Sequence, residues 1–309
     1  MDGFLLLDKA RDARSTSCVQ HLRHVLGKRT KVGHAGTLDS SAEGLLILLI
    51  GKATLWADMV MNLPKTYFVS ALFGTSTDTD DASGKEISSG DASVLSESRI
   101  DTLCLSFLGW RLQTPPDISA VKINGIAAHN LARSGEIPKT KPRPVFVRNL
   151  SRRTQLDDDA CVDFTIVCSR GTYVRSIVRD MGNALGCGGH VHRLRRMSTG
   201  SLRVESAVGQ DDFLSFSEND VRARLLPVDV VLDHYTWYGM SAEQSEALLH
   251  GKGIALSRIT PLRYGAIPSH SGILVVHENH VAFCKTRLFG STLFAIPQRN
   301  ILISARGNT

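Results

Sequence analysis

Hydrophobic positions along the chain fall into two periods and one unbroken run. Residues 45–50 (Leu-Leu-Ile-Leu-Leu-Ile) are all apolar between Gly44 and Gly51. That pattern predicts a strand buried on both faces. Residues 66–73 predict a second strand, stopped by Gly74, and 161–168 alternate well enough for a third. Val19, Leu22 and Val25 or Leu26 recur at helical spacing, with Ser17 as a candidate cap and Gly27 as the stop. His21, Arg23 and His24 fall largely off that stripe. Val174, Ile177, Val178, Met181 and Leu185 repeat the helical pattern, ended by Gly186. Residues 94–108 also read as a helix.

Between these elements the punctuation is polar. The acidic, Ser/Thr/Gly-rich stretch 75–90 reads as a surface loop. Asn124-Gly125 after Val121-Lys122-Ile123 is a hairpin signal, because this pair tolerates the positive φ of a type I′ turn. Residues 126–133 predict a short helix ending at Gly135, and Pro138, Pro142 and Pro144 mark a stiff, basic connection. Residues 211–234 read as helix and then connector. From Thr236 onward the style changes to short strands, as at 273–276, 281–284 and 293–296. That predicts a separate small β-barrel of roughly 70 residues. The expectation is α+β followed by all-β, divided into 1–234 and 235–309.

Composition narrows the class. Of 309 residues, 42% are hydrophobic and 21% charged, which argues against wholesale disorder. The aliphatic run 45–50 is too short to span a bilayer. Residues 1–8 lack the basic region of a secretory signal. The six cysteines form no C-x-x-C pair, which disfavours a zinc ribbon or a disulfide framework. A soluble protein of a reducing compartment is expected.

The net charge of +6 is concentrated. Residues 122–153 hold eight basic side chains against Glu136, and 170–203 hold seven arginines against Asp180. The rest of the chain is therefore net acidic. Positive charge gathered in two stretches fits a polyanion such as nucleic acid, or else two solvated faces of an ordinary enzyme.

The most unusual local sequence is Gly33-His34-Ala35-Gly36-Thr37-Leu38-Asp39, leading through Ser40-Ser41-Ala42-Glu43-Gly44 into the apolar run. Its glycines permit a close-approach backbone, and it presents one carboxylate just before a rigid element. On these grounds alone, Asp39 capping a turn explains as much.

The segment 33–39 closely resembles the G-H-x-G-x-L-D signature of the TruB family of pseudouridine synthases. Further blocks follow in order. Lys65-Thr66-Tyr67 with Gly74-Thr75-Ser76-Thr77-Asp78-Thr79-Asp80-Asp81 resembles the family's K-x-Y strand and G-x-x-T-D-T-x-D turn. Gln113-Thr114-Pro115-Pro116 and Ser119-Ala120-Val121-Lys122 resemble Q-x-P-P and S-A-x-K. Residues 168–177 resemble C-S-x-G-T-Y-I-R-x-[IL], and 186–196 resemble G-x-x-A-x-[VL] followed by L-R-R.

The resemblance implies a mixed, mainly antiparallel sheet flanked by helices and loops, plus a small C-terminal PUA-like barrel that binds RNA. It implies isomerisation of uridine to pseudouridine at position 55, in the TψC stem-loop of tRNA, by a cytoplasmic monomer. No cofactor, metal, membrane or obligate protein partner is implied. Asp39 matches the family's catalytic aspartate; whether it attacks C1′, attacks C6 or removes a ribose proton stays open. Arg175 matches the arginine that keeps that aspartate charged and aimed, and Tyr67 the tyrosine that packs on the target base. His34 matches the histidine that fills the space left by a turned-out base, and Lys9 follows Asp8 as in the family's D-K near the N-terminus.

Residues 117–150 match the family's mobile RNA-clamping insertion. Lys122, Arg133, Lys139, Lys141, Arg143 and Arg148 are its expected RNA contacts, joined by Arg179, Arg195 and Arg196 from the second basic stretch. The chain departs from the family at Ser40, where proline is usual, at Glu43, which adds a negative charge near Asp39, at Ile118, where tyrosine is common, and at 10–17, where P-x-G-x-[ST]-S is blurred. Two other readings compete: an RNA chaperone without catalysis, and a guide-RNA-dependent synthase. A carboxylate-based hydrolase lacks a matching second carboxylate.

Overall fold

The computed structural model describes residues 1–119, 122–123, 126–127, 140–267 and 271–302. Its frame is a ten-stranded mixed sheet. The strands are β1 (Gly3–Lys9), β2 (Val32–His34), β3 (Glu43–Ile50) and β4 (Lys65–Phe73). After them come β5 (Thr75–Thr77) and β6 (Glu86–Ser89), which form a side hairpin, and β7 (Gly109–Gln113). The short pair β8 (Lys122–Ile123) and β9 (Ile126–Ala127) precedes β10 (Arg143–Arg152) and β11 (Cys161–Cys168). β12 (Gly189–Thr199), β13 (Leu202–Arg203) and β14 (Val208–Gly209) complete this part.

The sheet order is β14-β1-β3-β12-β4-β11-β10-β7, with β2 on β3 and β13 on β12. The β1–β14 and β12–β3 pairs are parallel and the others antiparallel, as expected for a mixed and mainly antiparallel sheet.

β3 is buried on both faces because each face has its own apolar cluster. Leu45, Ile47 and Leu49 pack with Phe4 and Trp56, while Leu46, Leu48 and Ile50 pack with Leu22 and Phe213. Helices α1 (Ser15–Leu26), α2 (Ala57–Asn62), α3 (Glu97–Ser106) and α4 (Val174–Leu185) pack on the sheet. The stripe Ile177, Val178 and Met181 of α4 is wholly buried against Val69 and Ala71 of β4 and Phe164 and Ile166 of β11.

From Thr236 a six-stranded sheet follows, built from β15 (Thr236–Gly239), β16 (Ile254–Ala255), β17 (Thr260–Arg263), β18 (Ile273–His277), β19 (His280–Phe289) and β20 (Thr292–Leu302). Its order is β16-β20-β19-β18-β15-β17. One apolar cluster runs across the junction, joining Leu45 and Ile47 of β3 to Leu274, Val281 and Phe283. Tyr235, fully buried there, donates its hydroxyl to the Met59 carbonyl at 2.7 Å. The C-terminal sheet thus shares one cluster with the first sheet and keeps another of its own, with Leu248, Ile254, Ile273, Val275 and Ala295. Among the described residues no helix is long and apolar enough to cross a membrane.

Several local expectations differ from what is observed. Ser17 does not cap α1: the helix begins at Ser15, which puts Ser17 inside the first turn, and the N-cap is Arg14, without a side-chain bond. Residues 75–90 are not a plain surface loop but hold the β5–β6 hairpin, with Thr77 and Asp81 buried. Ile126-Ala127 is strand where a helix was expected, since it pairs antiparallel with Lys122-Ile123. The remainder of that predicted helix lies outside the described residues. The predicted 94–108 helix shortens to α3, because Ser96 accepts a capping bond from the Arg99 amide.

Gly44, at the start of β3, sits at φ +102°, and a Cβ there would lie 2.4 Å from the Arg196 carbonyl oxygen. No side chain fits that parallel crossing of β3 and β12. Gly44→Ala is therefore expected to lower stability by about 2–4 kcal/mol, read as a lower urea midpoint. An unchanged midpoint would contradict this packing.

Candidate active site

Asp39 lies in the loop between β2 and β3, and that loop is held on both sides of it. Leu38 and Ala42 are buried in the cluster beneath α4. The Ser15 hydroxyl donates to the Leu38 carbonyl at 2.8 Å and accepts from the Leu38 amide at 3.1 Å. The Asp12 amide donates to the Ser40 carbonyl at 2.7 Å. Lys9, fully buried, closes the 10–13 turn by donating to Ala10 and Ala13 carbonyls at 2.9 and 2.7 Å. This tertiary bracing supplies the rigidity that a proline at Ser40 would have supplied through its fixed φ. Burial pushes the Lys9 amine down to about 8, opposed by the charges of Cys18 and Asp39.

Arg175 projects from the first turn of α4 and is itself buried. Its Nη2 is 2.8 Å from Asp39 Oδ2. The guanidinium also donates to the Thr79 carbonyl at 2.6 Å and to the Ile118 carbonyl at 3.1 Å. The side chain of Asp39 is 42% exposed and that of Arg175 only 6%, so the carboxylate is reachable while its counter-ion is not.

Behind the arginine stands Asp81, whose Oδ2 lies 3.9 Å from Arg175 Nε and accepts from Ser41 at 2.9 Å. Its other oxygen accepts from Thr79 Oγ1 and the Ser83 amide at 2.7 and 3.0 Å. Burial alone would raise the Asp81 pKa, but the Ser83 and Thr79 hydrogen bonds and the Arg175 charge outweigh it and hold the carboxyl below its ordinary value. Asp80 pairs with Arg179 at 2.8 Å. Burial still raises its pKa, against the pull of Arg179.

Asp39 and Arg175 line a cleft of about 410 Å³ together with Lys65, Tyr67, Tyr173 and Leu194. Gln113 fixes Tyr173 by a reciprocal pair of bonds to its backbone, at 2.8 and 3.0 Å. Burial pushes both tyrosine hydroxyls above their ordinary value, opposed at Tyr67 by the nearby Arg196, so both stay protonated at neutral pH. The Lys65 amine donates to the Met61 carbonyl and, at 2.7 Å, to the Leu63 carbonyl. Burial, reinforced by the charge of Arg196, pushes it down to about 7. Among the described residues no three His, Cys, Asp or Glu side chains gather as metal ligands.

The structure thus brings Asp39, Arg175 and Tyr67 together, with Lys9 behind the loop. His34 is not among the residues lining this cleft; it ends β2, and its Nδ1 is buried without a hydrogen-bond partner. Burial and then the Arg196 charge lower its pKa, so the ring is neutral near pH 7.

The expected RNA contacts are placed unevenly. Lys141, Arg143 and Arg148 are exposed. Arg179 pairs with Asp80 and Asp180, and Arg195 with Asp8 at 2.7 Å. Arg196 is not at the surface: it is 2% exposed, bonded to the Leu45 and Gly36 carbonyls at 2.6 and 3.2 Å, and lines the cleft. Its burial follows from β12 passing beneath the Asp39 loop. Arg133 and Lys139 lie outside the described residues, and of Lys122 only the strand pairing is described. Glu43 faces Arg193 at 2.6 Å and Arg195 at 3.8 Å, so its charge is answered away from Asp39.

Four contributors were not singled out from the sequence. Tyr173, Lys65 and Asp81 sat in matched blocks without a role assigned. Ser15 sat where the family pattern is blurred, and only the fold brings it to Leu38.

Residues 23–174 match the model of the TruB family pseudouridylate synthase N-terminal domain, and 175–233 that of the tRNA pseudouridylate synthase B C-terminal domain. The chain is 38% identical over 256 residues to tRNA pseudouridine synthase B of Aquifex aeolicus, covering 83% of this chain and 88% of that one. It is 35% identical over 283 residues to the protein of the same name from Corynebacterium efficiens, covering 89% and 92%. Among solved structures, a Cbf5-Nop10-Gar1 complex shares the fold, with a TM-score of 0.69 at 21% identity over 97% of this chain and 85% of that chain.

The Lys65 amine sets a pH dependence. Its folded value of about 7 lies below the ordinary 10.5, so between those limits the unfolded chain binds a proton that the folded chain does not. Stability from this group therefore rises with pH from about 7 to about 10.5, and the penalty is complete below 7. Lys65→Met should flatten the rise by up to about 1.4 kcal/mol per pH unit. Urea unfolding of both chains at pH 6, 7.5 and 9 reads the slopes; parallel slopes would refute the burial argument.

Proposed function

The chain belongs to the TruB family of pseudouridylate synthases, and from that premise we propose that it converts uridine 55 in the TψC loop of tRNA to pseudouridine. The C1′–N1 bond breaks, the uracil turns, and C5 bonds to C1′. The C5 proton leaves and N1 gains one, so the reaction is redox-neutral and needs no electron carrier. The chain acts as a cytoplasmic monomer, without guide RNA. Residues 1–234 carry the chemistry, and 235–309 add an RNA-binding unit.

One observation carries this reading: an exposed carboxylate locked at 2.8 Å onto a buried arginine, in a cleft between two tyrosines. Arg175 holds Oδ2 of Asp39 and leaves Oδ1 to the nucleoside. An aimed nucleophile or base avoids reorganisation when the substrate arrives. Tyr67 offers a flat face for the uracil, and Tyr173 lines the same cleft. Turning the base out of its loop costs a few kcal/mol. Neutral His34 occupies the vacated stack without adding charge, and Lys9 keeps the loop closed beneath Asp39. Lys122, Arg133, Lys139, Lys141, Arg143 and Arg148 clamp the phosphates of the stem-loop.

Guide dependence is the competing reading, and sequence favours the stand-alone one. The relatives named tRNA pseudouridine synthase B are 35–38% identical, against 21% for the Cbf5 complex. A chaperone without catalysis would give no reason for the Asp39–Arg175 geometry.

On an unmodified tRNA transcript, Asp39→Asn should abolish pseudouridine formation while tRNA binding, measured by filter retention, persists. Arg175→Lys keeps the charge but loses the fork, and kcat should fall about 100-fold with little change in tRNA affinity. Conversion by the Asp39→Asn chain would remove the carboxylate from the reaction.

A further inference from the structure

A second depression adjoins the Asp39 cleft. It is a groove of about 620 Å³, bordered by Trp110, Phe146, Arg148, Ser169, Arg170 and Ile267. Ser169 and Arg170 line the cleft as well, so the two adjoin at these residues.

Strand alternation explains its walls. Val145 and Val147 of β10 point into the core, which turns Phe146 and Arg148 to the opposite face. β10 bulges between Val147 and Asn149, and Arg148 is the extra residue, exposed on the groove side. Trp110 of β7 lies directly across from Phe146, with ring centroids 5.4 Å apart and planes tilted by 59°. Trp110 is 60% exposed, whereas Trp56 in the core is 7% exposed. Arg170 is half-exposed and reaches Asp58 and Asn62 at 3.1 Å each.

A 60% exposed indole sharing a groove with two arginines suits neither a core nor a purely apolar guest. It suits a base stacked on a ring with its phosphate beside cations. We propose that this groove is a subsite for one unpaired nucleotide flanking the target uridine, its base on Trp110 and its phosphate facing Arg148 and Arg170. The proposal rests on the synthase reading above, because an RNA strand placed in the adjoining cleft brings its neighbouring nucleotides to this groove.

Steady-state kinetics on TψC stem-loop RNAs test it, using the wild-type chain, Trp110→Ala, Trp110→Phe and Arg148→Ala. Trp110→Ala should raise KM about 10-fold, within the range of one lost base stack, and leave kcat within about 2-fold. Trp110→Phe should recover most of that loss. Arg148→Ala should raise KM and lessen its dependence on salt. In a series of RNAs each carrying one abasic loop nucleotide, one RNA should show no further KM rise with Trp110→Ala, since the stack is already gone. An unchanged KM for Trp110→Ala, or an equal KM penalty on every abasic RNA, overturns the subsite and leaves the synthase reading standing. If the wild-type chain itself forms no pseudouridine, both readings fall.

Discussion

The pairing of Asp39 with Arg175 organises everything near it. A guanidinium taken out of water is tolerated only where its donors and charge are met. Here Asp39 and two backbone carbonyls meet its terminal nitrogens, while Nε has, among the described residues, no hydrogen-bond partner and only the charge of Asp81 at 3.9 Å. The elements supplying these partners come from distant parts of the chain: the β2–β3 loop, the hairpin after β4, the segment after β7 and the first turn of α4. The sheet and its central helix hold those parts at one place. The fold therefore buries an arginine while leaving its carboxylate partner exposed in the cleft.

The same constraint explains the layering around the loop. Ser15 and Lys9 act on the backbone rather than on Asp39 itself. Arg196 fills the floor, bonded to Leu45 and Gly36, and its charge lowers His34 and Lys65. The cleft is thus lined by basic side chains, hydroxyls and apolar groups such as Met61 and Leu194, with Asp39 the carboxylate among its lining residues. That lining sets positive charge around the Asp39 carboxylate.

Much of this was legible beforehand. The unbroken run of β3, the stripe of α4 and the period of β11 announced their elements because burial leaves a direct trace in hydrophobicity. Asp39, Arg175 and Tyr67 were readable only by resemblance, since no spacing rule links residues 39 and 175. What stayed hidden depended on long-range closure. Arg196 reads as a surface cation in an arginine-rich stretch, and only the passage of β12 under the loop buries it. Residues 75–90 read as a polar loop because Thr77 and Asp81 are buried by polar partners, which hydrophobicity does not register. Ser15 was not singled out because its partner, Leu38, is remote in sequence.

The central claim is that a carboxylate aimed by a buried guanidinium isomerises uridine without help from another macromolecule. Tritium released from C5 of labelled uridine in a bare tRNA transcript, with the purified wild-type chain alone, measures that step directly. Release stoichiometric with tRNA is expected. Binding of the transcript without any release would contradict the account.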